Sequence, residues 1–198
     1  MAAQRHIQSQ GGSGRHSDEA VLDAVRASVL AVGVRRTTLT DVSRRAGVSR
    51  MTLYRRWGDV DRLVRDLMTR EFQGVFAGLG TVPGDRDELV AAVVGAVSAL
   101  RDEPLFVRVL DIDPDLLRPY LTDRLGSTQH AAAALLADAL RAGRRGGWIR
   151  AGDPDRLAYA VLLLAQSFAV SARTVAEHLD AAALDAELAH ALERYLAP

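Results

Sequence analysis

Arg50, Met51, Thr52, Tyr54, Arg55 and Arg56 crowd into one short stretch, and their chemistry suits the edges and backbone of a DNA duplex. An arginine can donate a bidentate pair to guanine; a threonine can bond a base edge or touch a thymine methyl. Arg50 and Thr52 offer that chemistry, while Met51 between them offers only apolar contact. Tyr54, Arg55 and Arg56 suit phosphates, which fix register without carrying a base code. From Arg35 to Arg56 there are seven arginines against one acid, Asp41, a local net charge of +6.

Such residues need a helix to present them together, and the flanking sequence supplies one. Ser49 is placed to cap it, and Leu53 and Trp57, four residues apart, define an inward face. Met51, Thr52 and Arg55 then point outward, with Arg50, Tyr54 and Arg56 on the flanks. A preceding helix starts at Thr38, with Asp41 three residues on in a capping-box-like position. Leu39, Val42 and Ala46 share one face, and Gly47 ends the helix where positive φ is needed. Val48 fills the corner. Two short helices joined by a tight glycine turn, at about residues 38–57, predict a helix-turn-helix whose second member enters the major groove.

From about Asp18 to Phe72 the chain resembles the DNA-binding domain of the TetR family of bacterial transcriptional regulators. The resemblance rests on VLDAVRASVLAVGV, TTLTDVSRRAGVS, TLYRRW and DVDRLVRDLM in succession. It implies base contacts from Thr40, Arg50, Met51 and Thr52, and phosphate contacts from Thr38, Tyr54 and Arg56. Two positions depart from the family pattern. Val60 stands where a lysine is common at the start of the fourth helix, with Arg62 nearby as a substitute, and Met51 stands where a small residue is usual.

Formal net charge over the 198 residues is zero, which alone argues against a nucleic-acid protein. The zero is a sum of opposites: residues 1–76 carry +5 and residues 77–198 carry −5. A basic head on an acidic body is expected of a DNA-binding module joined to a different one. Lysine is absent throughout, head and body alike, which points to coding bias. There is no cysteine, so disulfides, thiolate catalysis and cysteine metal sites are excluded. No apolar run is long enough to span a membrane, and the polar, Gly/Ser-rich residues 1–17 read as a disordered tail without a signal sequence. A bacterial cytoplasmic protein is expected.

The remainder reads as helix. The first helix covers Asp18–Val32, with Leu22, Val25, Val29 and Val32 as its stripe, and the fourth runs from Asp59–Asp61 to Phe76. Further helices are expected at 85–101, 104–110, 114–121, 127–144, 154–174 and 181–196. Asp113-Pro114 and Asp153-Pro154 each read as an N-cap followed by proline in the first turn. The fold is all-α, with about nine helices: a three-helix head completed by a fourth helix over 18–76, and a helical body over 77–198.

Enzyme and metal signatures are lacking. The run DIDPD, with Asp111, Asp113 and Asp115, starts like a calcium loop, but Leu116 occupies the glycine position and Thr122 the final glutamate position. It reads as a helix cap. The five histidines form no close ligand set, so no metal or cofactor is expected. A small-molecule pocket between body helices would draw on Phe72, Phe76, Phe106, Leu110, Tyr120, His130, Trp148, Tyr159, Gln166 and Phe168. Gln166 is the most suggestive, since an amide in an apolar run needs a partner. AYAVLLLAQSFAVSA is apolar on more than one face, and in the resembling family the last two long helices pair with their copies in a second subunit.

The reading is a homodimeric repressor that binds pseudo-palindromic operator DNA and is released by a small-molecule effector. A regulator needing its ligand to bind DNA, and a helical protein-interaction module with a degenerate head, are the alternatives.

Overall fold

A computed structural model describes residues 10–76 and 83–198, with side chains over 18–75 and 83–198. Every regular element among them is helical. Nine α-helices have eight residues or more: α1 (Gln10–Val32), α2 (Leu39–Ala46), α3 (Arg50–Trp57), α4 (Val60–Phe76), α5 (Arg86–Asp102), α6 (Pro104–Ile112), α8 (Ser127–Arg145), α9 (Pro154–Val170) and α10 (Ala181–Leu196). A five-residue turn of helix, α7 (Arg118–Thr122), links α6 to α8.

The core divides in two. One cluster joins Val21, Val25 and Val29 of α1 to Val42, Leu53, Trp57, Leu63 and Leu67 of α2 to α4. The other joins α5, α8, α9 and α10, with Leu89, Val93, Val97, Leu136, Leu140, Leu157, Val161, Leu188 and Leu192 at its centre. Leu105 and Val109 of α6 belong to the first cluster, so residues from beyond position 77 complete the core of the head.

Four local features differ from the sequence expectation. Helix α1 starts at Gln10 instead of Asp18, so residues 10–17 of the expected tail are helical; residues 1–9 lie outside the described residues. Extending a formed helix needs no new nucleus, which lets a Gly-rich stretch join one. Val32 is exposed, and Val21 and Ala24 take the buried positions beside Val25 and Val29. Helix α9 ends at Val170, and a 3-10 turn, Ala172–Val175, follows. Asp113 does not cap the helical turn after it: its side chain makes no cap bond there, and Pro114–Leu116 is a 3-10 turn. Its carboxylate instead accepts the Val34 N–H at 2.8 Å, because the chain buries it against the corner after α1. Asp153 does cap its helix, accepting the Asp155 N–H at 3.0 Å.

Candidate nucleic-acid interface

The head is assembled corner by corner. Thr38 Oγ1 accepts the Asp41 N–H at 3.2 Å and starts α2. Gly47 stops it at φ 66°, and the Gly47 N–H reaches back to the Ser43 carbonyl. Ser49 Oγ accepts the Thr52 N–H at 3.1 Å and starts α3. Leu53 and Trp57 are buried beneath α3, and Trp57 Nε1 donates to Asp66 of α4 at 3.0 Å, which sets the pitch of α3 on α4.

Asp41 departs from the capping-box expectation. Its carboxylate accepts from Ser28 of α1 at 2.9 Å, from Arg44 at 2.6 Å and from Arg45 at 2.7 Å. The guanidiniums of Arg45 and Arg44, then the Ser28 hydroxyl, hold its pKa down at about 2. The one acid of the basic segment therefore pins α2 to α1 and neutralises part of two exposed arginines.

The outer face of α3 stays open. Met51 is 73% and Tyr54 65% exposed, and Arg50 and Arg55 are exposed beside them. Thr40 and Thr38 are exposed at the start of α2. Besides the capping Thr38 and Ser49, two further candidate contact residues are already engaged. Thr52 Oγ1 lies 2.9 Å from Ser49 Oγ, so its hydroxyl is shared with the cap. Arg56 pairs with Asp18 of α1 and lies over the Trp57 ring, 5.3 Å from the centroid. Local spacing could not show the Arg56 pairing, because Asp18 is 38 residues away in sequence. At the start of α4, the Arg62 N–H is taken by Asp59 at 2.7 Å, while the Arg62 side chain is exposed.

Comparison with known proteins agrees with this geometry. Residues 21–67 match the bacterial regulatory proteins of the tetR family. An uncharacterized HTH-type transcriptional regulator of Mycobacterium bovis is 41% identical over 176 residues, covering 89% of this chain and 92% of that protein. The chain belongs to the TetR family of bacterial regulatory proteins. A regulator from Mycobacterium tuberculosis matches at the same identity and coverage. Solved TetR-family structures share the fold. The Rhodococcus erythropolis transcriptional repressor QsdR aligns with a TM-score of 0.66 at 16% identity, over 92% of this chain and 95% of that one. SmeT, in a complex with triclosan, aligns at 0.66 and 20% identity over 92% of each chain.

The body of this TetR-family regulator distributes the expected pocket residues over several places. Phe72 of α4 meets Phe106 of α6 edge to face, with centroids 6.1 Å apart. The Trp148 ring covers Gly143 and Gly146, where an added Cβ would come within 2.7 Å of it. Gln166 is half-buried and accepts a hydrogen bond from Gln129, whose amide also donates to the Tyr120 carbonyl at 2.9 Å. The partner Gln166 needs is thus another side chain, on α8. Phe168 packs against the body core, and Leu110 is half-buried. His130 and Tyr159 line an open cleft of about 220 Å³ between α8 and α9, with Asp138, Arg141 and Asp155. Phe76 ends α4, and its side chain lies outside the described residues.

Two of the expected pocket residues therefore share a cleft. Of the others with described side chains, Phe72 and Phe106 pack together, Trp148 and Phe168 pack against the body core, Gln166 is hydrogen-bonded and Leu110 is half-buried. Among the described residues, no group of His, Asp and Glu is arranged to hold a metal ion. No helix there is long and apolar enough to cross a membrane.

Proposed function

We propose that the chain is a homodimeric, effector-released repressor acting in the bacterial cytoplasm by binding rather than by turnover. Residues 18–76 form its reading head and residues 77–198 its sensing and dimerising body. The observation that supports this best is the outer face of α3, where Arg50, Met51, Tyr54 and Arg55 stand free above the buried Leu53 and Trp57. Arg50 reads guanine, Met51 contacts an apolar base edge, and Tyr54 and Arg55 hold phosphates. Thr38, Thr40, Ser49 and Thr52 border that face, with Thr52 offering its methyl group. Arg56 reaches a phosphate by exchanging it for Asp18.

Dimerisation through α9 and α10 is supported by what those helices leave uncovered. Leu184, Leu188, Leu192 and Leu196 of α10 turn into the body's own core. Leu163 of α9 remains 60% exposed and Tyr159 44%, and Ala182 and Ala186 of α10 are exposed. Exposed apolar side chains on one helix and small residues on the other suit close pairing with a second copy. Two heads on a two-fold axis then match half-sites about one helical turn, ~34 Å, apart. QsdR is described as a repressor and SmeT has been solved with triclosan, which supports repression and release by a small molecule. Such an effector favours a head spacing that does not fit the operator.

Selection of binding sites from random duplex DNA tests the head. The wild type should enrich a pseudo-palindrome, and Arg50→Ala and Tyr54→Ala should each lose it. Equal enrichment by the variants, or no enrichment by the wild type, sinks the reading.

A further inference from the structure

Ser28, Thr37 and Asp113 are the three buried polar residues among the described ones, and all three fasten the same corner of the fold. Ser28 donates to Asp41, fixing α1 to α2. Thr37 Oγ1 donates to the Gly33 carbonyl at 2.9 Å, fixing the turn between them. Asp113 comes from the far side, at the end of α6. It is 2% exposed, its Oδ2 accepts the Val34 N–H at 2.8 Å, and its Oδ1 lies 3.3 Å from Arg35 Nε. Burying a carboxylate is costly unless its lone pairs are met, so the bond to Val34 is the condition for Asp113 being there.

The neighbours of Asp113 diverge. Asp111 pairs with Arg173, in the 3-10 turn after α9. Asp115 pairs with Arg35 at 2.9 Å, on the head. The alternating acids of DIDPD therefore reach both ways, to the turn that follows α9 and to the corner that precedes the helix-turn-helix. The backbone contact is as close as the polar one: a Cβ on Gly33 would lie 3.0 Å from both Asp113 Oδ2 and Ile112 Cγ2. At the opposite end of α6, Glu103 takes Arg26 of α1 at 3.2 Å, and Leu105 and Val109 fill the head core between.

We infer that Asp113 is a positioning residue for DNA recognition: its carboxylate locks α6 to the α1–α2 corner and thereby sets where the body holds the reading head. This rests on the dimeric DNA-binding reading above. Without the lock each head samples several orientations, and the fraction of dimers with operator-matched spacing falls, weakening apparent affinity in proportion.

The chain has no cysteine, so Arg65→Cys at an exposed position of α4 gives one spin label per subunit and one inter-head distance in the full-length dimer. A narrow distance distribution is expected for the otherwise wild-type protein. Asp113→Ala should broaden it and weaken binding to the selected operator by about ten-fold, the consequence expected of one unmet buried N–H. Asp113→Asn retains an acceptor for Val34 and should restore the narrow distribution. Arg35→Ala, removing an exposed partner, should leave it narrow.

Should Asp113→Ala not fold, Gly33→Ala displaces the same contact from the other side and should broaden the distance alike. A folded Asp113→Ala or Gly33→Ala protein with wild-type distance and affinity overturns the inference. Loss of the inter-head distance or of operator binding in the labelled parent protein would instead bring down the reading on which it rests.

Discussion

Arg50 and Arg55 share a helix, and the proposed reading gives them different tasks on DNA. Base contacts specify and phosphate contacts position, so the two should separate in a salt titration. Arg50→Ala should cost about 1–3 kcal/mol and relax the preference at one operator position, in binding titrations against singly substituted sites. Arg55→Ala should weaken all sites equally and lower the slope of log affinity against log salt by about one. Asp41 supplies a test by pH. Its folded pKa is about 2, below the ordinary value of 3.8, so its contribution is present above that ordinary value and is lost as pH falls through about 2. Thermal melts should show Asp41→Asn less stable than the wild type at pH 7, with the gap closing between those two values. A gap that persists at the acid end would mean that packing, rather than charge, is what Asp41 supplies.

At the scale of elements, the turn at Gly47 sets the angle between α2 and α3. Nothing lies within 4 Å of where its Cβ would be, so Gly47→Ala meets no steric obstacle. Its cost is conformational, because φ is 66°, and should come to about 1 kcal/mol by denaturant titration. A much larger loss would show the turn to be crowded. This turn and both caps were legible in the sequence, because Thr38, Gly47 and Ser49 act on backbone groups within a few residues of themselves. The Asp113 cap was misread for the complementary reason. Asp-Pro is a genuine local signal for a helix start, but a backbone N–H 79 residues away competes for the same carboxylate and wins it.

At the scale of the whole molecule, the proposed interface on α9 links assembly to DNA binding. Leu163→Asp would place a charge in the proposed interface, where it could be neither solvated nor paired. Sedimentation should show a folded monomer, and operator binding should weaken because one head must then bind alone. A dimer that survives the substitution would move the interface off α9. The body's pocket was the least legible part of the sequence. The aromatic and polar residues named for it fall on five different helices and a loop, and the described side chains form separate small groups rather than one wall. Nothing in their types distinguishes a ligand wall from a core contact.

The sequence by itself determined the local events: caps, the glycine turn, the apolar faces of α2 and α3, and the concentration of arginine on the head. Each follows from interactions within one or two helical turns, or from composition, and needs no distant partner. Only the tertiary structure decided which charges are free to meet DNA. Arg56 is held by Asp18 of α1, whereas Arg50 and Arg55 stand open. It also decided that α6, far along the chain, completes the head, because a three-helix head leaves an apolar flank that Leu105 and Val109 fill. Contacts of that kind depend on which surfaces the folded chain brings together, and local spacing does not record them.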